Sequence, residues 1–475
     1  MNPPARSPQG EGSPGQLLNI LGLGFGLAGA IGATIGAGIL RTPGLVASQL
    51  PSPLWLMGAW LLGGMLALMG ALCAAELSTS LPRAGGWYVF AGAAFGPRAG
   101  WLVGWTDWLA HCIGLAWEAT TVGEYAADLL PEQLLGPVPT SRLLALLSLA
   151  VFMAIQLFGL RVASASQDVL SLMKAVVFLA LVLACFLVPL PRAEAGAVVA
   201  EGWWRGVPWP AAQGSWSNGL WPAVLALQAV ITTYDGWVSP VYFAEEFSNP
   251  SRDLPRSLIG GVLLVVVLYL LINGALLHVL PIEDLAGSPL PAAEAAQRLM
   301  GPLGKQLMTA VALLALLGLI NTVVMAAARI LFGLSRDGLF PAWGAQVNGG
   351  GTPTSALLLT AGMAALLVLG GSFQRLLSLG ALLYVCLPLT GVAALVQQRL
   401  RAGSSPQAGV FRTWAYPLPP LLVAGVSLAF LGGELLTRPQ DCLLALGLVA
   451  LGLPFLLLAP GPGAAEERQE EQVAP

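Results

Sequence analysis

Long apolar runs of membrane-spanning length alternate with short polar connections along most of this 475-residue chain. A spanning helix needs about 20 apolar residues, and the pattern predicts twelve of them. The flanking segments 1–16 and 461–475 are polar, and we expect them to be disordered, the second one acidic. We place the helices at residues 17–48, 54–76, 86–128, 142–159, 164–189, 219–247, 257–280, 305–335, 354–371, 374–397, 414–433 and 440–459.

The first and the sixth predicted helices each contain residues that interrupt a helix. The first reads Gly29-Ala-Ile-Gly-Ala-Thr-Ile-Gly-Ala-Gly-Ile39, and the sixth reads Ile231-Thr-Thr-Tyr-Asp-Gly-Trp-Val-Ser-Pro240. Hydrocarbon cannot satisfy the backbone groups that such breaks expose, so breaks persist where they line a cavity. Matching breaks in two parts of one chain mark the substrate site of a transporter.

The position of the two breaks predicts an internal repeat. Each half would contain five helices, of which the broken helix is the first, and because five is odd, the second half must be inverted relative to the first. We expect repeat one at residues 17–190, repeat two at 219–400 and two additional helices at 401–460. The side that carries both termini holds more arginine, which predicts cytoplasmic termini in the cell membrane.

The composition excludes a soluble protein and gives no support to an enzyme. The chain is 56% hydrophobic and 9% charged, whereas a soluble domain is about 25% charged. The five cysteines have no metal-binding spacing, and the sequence has no His-Glu-x-x-His or Gly-x-Ser-x-Gly motif. We therefore expect no catalytic residues, no metal and no cofactor.

The first break predicts a site for a carboxylate. The amides of Gly36, Ala37 and Gly38 would begin a half-helix, where free N–H groups and the helix dipole attract an anion. An α-carboxylate is the natural ligand, and we include the neighbouring Thr34 and Ile35 in the candidate site. The alternative is that these glycines only let helices pack closely.

The second break predicts a site for an amine. Unwound carbonyl groups at Thr232, Thr233, Tyr234, Asp235 and Gly236 are candidate acceptors for a substrate ammonium group. An acid within a membrane helix is costly and usually functional, which makes Asp235 a candidate site residue. Alternatively, Asp235 only caps the second half-helix.

Four further ionisable residues within the predicted spans are candidates for a function. Lys174 must pair with carbonyl groups or a carboxylate, and it is a candidate substitute for a coupling sodium ion, or a proton carrier, or a static structural cation. Asp107, His111 and Glu118 share one helical face. They are either a proton relay or a hydrogen-bonded packing stripe.

Two acids after the second break predict a gate. Glu245 and Glu246 should lie at the cytoplasmic mouth beside Arg252 and Arg256, where ion pairs would form and break between states. An ordinary solvated helix end is the alternative. We also assign Trp237 to the gate.

Several motifs occur together in the order of a known family. They are Ile35-Gly-Ala-Gly-Ile39, Ala75-Glu-Leu77 with Pro82-Arg-Ala-Gly-Gly-Trp-Tyr88, Tyr234-Asp-Gly-Trp237, Glu245-Glu246 with Asn249-Pro250 and Arg252-Asp-Leu-Pro255, and Arg329 with Ser335-Arg-Asp-Gly-Leu-Phe-Pro341. With these motifs the chain resembles the amino acid–polyamine–organocation (APC) superfamily, and within it the L-type-like amino acid permeases.

The resemblance implies an all-α LeuT-like fold with a five-plus-five inverted repeat. It implies that the substrate carboxylate meets the backbone at Gly36, Ala37 and Gly38, and that the amine meets carbonyl groups near Ile35, Thr232 and Thr233. It also implies that Lys174 matches the lysine that replaces a sodium site in sodium-independent carriers. We expect alternating access by an exchanger or proton-coupled symporter for neutral L-amino acids.

Two departures from the family pattern affect these expectations. Thr232 stands where L-type carriers have a bulky aromatic gate, and this widens the range of possible substrates. The loop from Leu129 to Arg142 has no cysteine, so we expect no disulfide-linked heavy chain. The alternatives are a carrier of cationic amino acids or polyamines, a non-transporting sensor and a membrane enzyme.

Overall fold

The computed structural model describes residues 17–36, 38–127, 129, 139–188, 216–288, 290–371, 373–402, 409–459 and 461. Ala37, the tails at 1–16 and 462–475, and most of the 129–142 loop therefore lie outside the described residues. The regular elements within the described ranges are helices. In chain order they are α1 (Leu23–Thr34), α2 (Gly38–Gln49), α3 (Pro53–Ser80), α4 (Trp87–Phe95), α5 (Pro97–Ala127), α6 (Thr140–Leu157), α7 (Leu160–Leu187), α8 (Trp216–Tyr234), α9 (Pro250–Val279), α10 (Ile282–Gly287), α11 (Pro291–Met300), α12 (Pro302–Arg336), α13 (Thr354–Gly370), α14 (Phe373–Ala402), α15 (Leu418–Thr437), α16 (Pro439–Ala450) and α17 (Leu453–Leu457).

Eight of the described helical segments are long and apolar enough to cross a membrane, or nine if the bent pair α1 and α2 forms one span. The protein is thus an all-helical, multi-pass membrane protein. Helices α5, α8 and α13 occupy the remaining predicted spans, but α13 has only 17 residues and α5 carries buried charged side chains along its length. The total of twelve spans stays a prediction.

Glycine and proline set several helix boundaries that the hydrophobic pattern alone does not. The predicted span 86–128 is divided into α4 and α5 at Gly96, which has a φ of +96° and precedes Pro97. Asn249 precedes Pro250 at the start of α9, as expected because the residue before proline disfavours helical geometry. Short 3₁₀ segments at Ser239–Glu246 and Ala342–Ala345 complete the connections.

Helix α12 lies in the core of the molecule and is more buried than the other apolar helices that are long enough to span a membrane. It packs against α5, α7 and α13, while α9 packs against α1 and α3, and α14 packs against α5 and α15. The outer helices expose large apolar side chains, among them Leu172, Leu366 and Leu446. Such a surface suits hydrocarbon rather than water, and the polar side chains are correspondingly gathered inside.

Candidate substrate site between two broken helices

Both predicted breaks are present, and they touch each other. Helix α1 ends at Thr34 and α2 begins at Gly38, while α8 ends at Tyr234 and a turn leads to the 3₁₀ segment at Ser239. A Cβ atom added to Gly236 would lie 2.4 Å from the carbonyl oxygen of Ala33. Gly236 also has a φ of +108°, a conformation that only glycine adopts readily. The sequence therefore breaks the two helices at the point where their backbones cross.

Gly236→Ala is expected to reduce uptake strongly and to destabilise the protein. The methyl group would clash with the first break, and the positive φ adds strain of about 1–3 kcal/mol. Uptake into proteoliposomes and the thermal unfolding midpoint in detergent measure the two effects. Gly362→Ala is the matched control, because its Cβ would meet no atom within 4 Å. Wild-type uptake by Gly236→Ala would contradict the crossing geometry.

A cavity of about 310 Å³ lies beside the crossing point, within the size range of small-molecule sites. Its walls come from both breaks and from α3, α5, α12, α14 and α15. Most of the predicted site residues line it: Thr34, Gly36, Gly38, Thr232, Thr233, Tyr234, Asp235, Gly236 and Trp237. Ile35 is buried behind this wall.

The first break offers fewer free amides than the sequence suggests. The N–H of Gly36 donates to the Thr34 carbonyl at 3.0 Å, and the N–H of Ile35 donates to Ile31 at 2.8 Å. Gly38 is the first residue of α2, so its N–H group and those of the next three residues have no partner within the helix. The start of α2 is therefore the better candidate for binding an anion.

The second break presents Thr232 and Asp235 to the cavity, and both side chains are exposed there. The hydroxyl of Thr232 donates to the Gln228 carbonyl at 2.9 Å. The carboxylate of Asp235 accepts the N–H of Gly236 at 2.9 Å. This bond reaches only the next residue, and the 3₁₀ segment that follows has Val238 at its N-cap with no side-chain cap hydrogen bond, so Asp235 does not cap the second half-helix. The second carboxylate oxygen of Asp235 is left for other partners.

A hydrogen bond between side chains joins the two broken helices. The hydroxyl groups of Thr42 in α2 and Thr233 in α8 lie 2.8 Å apart. Thr233 also donates to the Ala229 carbonyl at 2.8 Å. The Thr233 side chain thus holds the second half of the first break against the first half of the second.

Lys174 binds the end of the first half-helix. The residue is 1% exposed, and its ammonium group donates to the carbonyl oxygens of Gly32 at 2.7 Å and Ile35 at 3.0 Å. Carbonyl groups at a helix C-terminus lack partners within the helix and carry partial negative charge, so they attract a cation. Gly318 in α12 makes room, since its Cβ would lie 2.6 Å from the Cε of Lys174.

Two of the three ionisable residues on the predicted face of α5, Asp107 and His111, contact each other. The Nδ1 of His111 lies 2.8 Å from the Asp107 carbonyl oxygen and 3.1 Å from its carboxylate. Tyr242 donates to the same carboxylate at 3.1 Å. His111 and Glu118 both line the cavity, but the Oε2 of Glu118 has no hydrogen-bond partner among the described residues. These contacts do not connect all three residues of the stripe.

A family model described as Amino acid permease matches residues 23–432 of the chain. This chain belongs to the amino acid permease family. The permease is therefore a transporter rather than an enzyme, and its broken helices enclose the cavity as expected for a carrier.

Curated relatives match along most of the permease. It is 26% identical over 441 residues to the serine/threonine exchanger SteT of Bacillus subtilis, covering 91% of this chain and 95% of that protein. It is 26% identical over 412 residues to the branched-chain amino acid permease BcaP of Lactococcus lactis, covering 83% and 85%. It is also 26% identical over 463 residues to the mouse large neutral amino acids transporter small subunit 2, covering 95% and 84%.

The two acids after the second break form ion pairs, but not with the predicted arginines. Glu246 makes a two-bond pair with Arg329 at 2.5 and 2.8 Å, and both side chains are buried. Glu245 binds Arg336 at 2.6 and 2.8 Å. Both partners belong to α12, so the expected pairing with Arg252 and Arg256 at the start of α9 is wrong.

Neighbouring groups extend this cluster of ion pairs. Asp337 pairs with Arg83 at 2.5 Å, and the N–H of Ala84 donates to the carboxylate of Glu245 at 3.1 Å. The cluster ties the segment after the second break to the α3–α4 connection and to the end of α12.

Two residues of this permease make contacts near the breaks although the sequence did not predict a role for either of them. Arg329 was part of a motif, and its charge within a predicted span was a usable signal, because intramembrane arginine nearly always has a partner. Tyr269 in α9 binds both breaks through its hydroxyl group. A tyrosine inside an apolar run gives no comparable signal.

Proposed function

We propose that this permease carries neutral L-amino acids across the cell membrane by sodium-independent alternating access. In the proposed architecture, twelve helices form a LeuT-like fold with cytoplasmic termini. The repeats at 17–190 and 219–400 enclose the cavity, and the helices at 401–460 lie outside the repeat. The observation that carries the proposal is the cavity at the crossing of the two breaks, which has the start of α2 on one side and the C-terminal turn of α8 on the other.

The polar ends of an amino acid suit the two sides of this cavity. A carboxylate would accept N–H groups at the start of α2, beginning with Gly38, with Ala37 and Gly36 nearby. An ammonium group would donate to carbonyl groups at the ends of the half-helices, near Ile35, Thr232 and Thr233. Each interaction uses backbone groups and the helix dipole, so it selects the amino acid backbone rather than one side chain.

Sodium independence rests on Lys174. Its ammonium group lies on the carbonyl oxygens of Gly32 and Ile35, which are the type of ligand that a sodium ion would use at the end of a broken helix. A fixed positive charge at this position removes the need for an ion. The same lysine would also link the first half-helix to α7, and through it to the rest of the molecule.

Neutral substrates are favoured because the cavity walls are mostly apolar, and because the printed names of two relatives specify branched-chain and large neutral amino acids. The relative from Bacillus subtilis is named as an exchanger, and this favours exchange over symport as the proposed mode of transport. Asp235 favours the second candidate, a carrier of cationic amino acids or polyamines, since its carboxylate is exposed in the cavity without a cationic partner in the described residues.

Uptake into proteoliposomes tests the function. We expect labelled serine or leucine to enter faster when the vesicles contain unlabelled substrate, and to enter equally well when choline replaces sodium. Unlabelled neutral amino acids should compete, whereas arginine and putrescine should not. Competition by arginine alone would support the cationic candidate, and loss of uptake without sodium would contradict the role of Lys174. Binding without flux would contradict transport itself.

A further inference from the structure

One hydroxyl group in α9 binds both broken helices. Tyr269 is fully buried, and its phenolic oxygen lies 2.9 Å from the carbonyl oxygen of Thr34 and 3.1 Å from that of Thr233. Thr34 is the last residue of α1, and Thr233 is the last but one of α8. The same side chain therefore contacts the C-terminal end of each half-helix.

The Thr233 carbonyl depends on this donor, and the Thr34 carbonyl gains a second one from it. Carbonyl groups in the last turn of a helix have no intrahelical partner, and a buried acceptor that remains unpaired is costly. The Thr34 carbonyl also accepts the N–H of Gly36. A phenol has one O–H donor, so Tyr269 shares one proton between two acceptors, and it can do so only while both half-helix ends are within reach.

The surroundings of Tyr269 fix the position of its hydroxyl group. Its ring packs edge-on against Trp60 of α3, with the ring centroids 5.4 Å apart, and tilted against Tyr234, with the centroids 5.0 Å apart. Two turns earlier on the same face of α9, Gly261 lies against Ala30 of α1, where an added Cβ would approach to 2.5 Å. Helix α9 is thus held against the first half-helix, and the hydroxyl group has little freedom to follow a moving break.

We propose that Tyr269 is a positioning residue that stabilises the closed arrangement of the two breaks around the substrate. The shared bond is complete when the ends of α1 and α8 are together and is reduced to one acceptor when either end moves. It therefore has different strengths in different conformations, which is the condition for shifting a conformational equilibrium. This inference rests on the proposed function, because the closed arrangement is the one that binds amino acid.

Loss of the hydroxyl group should weaken substrate binding without blocking the translocation step. In Tyr269→Phe the ring contacts remain but the shared donor is absent, so the closed arrangement is less populated and the apparent affinity falls in proportion. We expect the KM for uptake to rise about tenfold, the factor for one buried hydrogen bond. The maximum rate should change by less than about twofold, since product release also requires the breaks to part.

Thr360→Val is the matched control for the loss of a buried hydroxyl group. Thr360 in α13 accepts the indole N–H of Trp108 at 2.9 Å and donates to the Ala356 carbonyl at 2.8 Å, away from both breaks. The thermal unfolding midpoint of Thr360→Val should fall as that of Tyr269→Phe does, but its KM should stay unchanged. An equal rise of KM in both variants would overturn the proposal, as would a wild-type KM in Tyr269→Phe.

Restoring a donor tests the chemistry directly. Tyr269→4-aminophenylalanine places an N–H donor at the same ring position and should return the KM to within about threefold of wild type. A KM as high as that expected for the phenylalanine variant would overturn the proposal, even if Tyr269→Phe cannot be purified. Dissociation constants from substrate-induced thermal shifts in detergent should follow the same order. These constants test Tyr269 independently of flux, so failure of wild-type transport would contradict the proposed function alone.

Discussion

Lys174→Ala is expected to abolish amino acid uptake. The ammonium group is the donor for two buried carbonyl groups at the end of α1, those of Gly32 and Ile35. Hydrogen bonds to a charged group contribute about 1.5–3 kcal/mol each, and alanine leaves both acceptors in an apolar environment. The first half-helix then loses its attachment to α7, so the start of α2 and the crossing with the second break lose their fixed positions.

The chain offers a closely matched control for this experiment. Lys305, the other lysine of the sequence, lies exposed at the start of α12, and Lys305→Ala should transport at the wild-type rate. Lys174→Met keeps most of the aliphatic stem and removes the charge, so it should be as inactive as alanine if the ammonium group is what matters. Wild-type uptake by Lys174→Ala, with the same dependence on pH as the unmodified protein, would contradict the role assigned to this lysine.

The sequence predicted the breaks and the buried lysine because each is visible within one segment. Glycine and aspartate inside an apolar run indicate that backbone groups are exposed there, and the structure has breaks at Gly36 and at Asp235–Val238. Lys174 is recognisable in the same way, because a charged side chain deep within a long apolar run requires a partner. Such local signals need no knowledge of how the helices pack.

The partners of the charged and polar side chains could not be predicted from the sequence, because they depend on which helices pack together. Glu246 precedes Arg252 by six positions and Arg329 by 83, yet it binds Arg329. Helix α12 passes beside the Ser239–Glu246 segment, whereas Arg252 and Arg256 are exposed on the first turns of α9. Tyr269 illustrates the same limit, since its hydroxyl group acts on two segments far from it in the chain.

One helix boundary was not predicted, although the residues that mark it are present in the sequence. The span predicted at 86–128 ignored Gly96-Pro97, a pair that commonly ends one helix and begins another. The apolar run continues through this pair, and the length of the run dominated the interpretation. The structure shows that α4 and α5 are separate helices, so the residues that line the cavity from α5 follow a new helix start.

Arg329→Met is expected to destabilise the protein by about 3–5 kcal/mol, the cost of leaving one member of a buried ion pair without its partner. The exposed fractions of the Arg329 and Glu246 side chains are 2% and 0%. In the single variant the carboxylate of Glu246 stays buried without its two charge-assisted hydrogen bonds. The thermal unfolding midpoint of the purified variant measures the loss. Arg298 provides the control, because it makes two ion pairs near the surface, with Asp284 and Glu294. Arg298→Met should cost no more than about 1 kcal/mol.

The double variant Arg329→Met with Glu246→Met separates stability from transport. Replacing a buried ion pair by apolar side chains of similar volume is often neutral for stability, so the double variant should recover most of the lost unfolding midpoint. It should still transport poorly, because the bonded pair is what attaches the segment after the second break to α12, and methionine has no equivalent directional contact. A double variant with both wild-type stability and wild-type uptake would show that Arg329 and Glu246 only fill space. A double variant as unstable as Arg329→Met would show instead that the apolar pair cannot replace the packing of the arginine over the Phe243 ring, whose centroid lies 4.7 Å away.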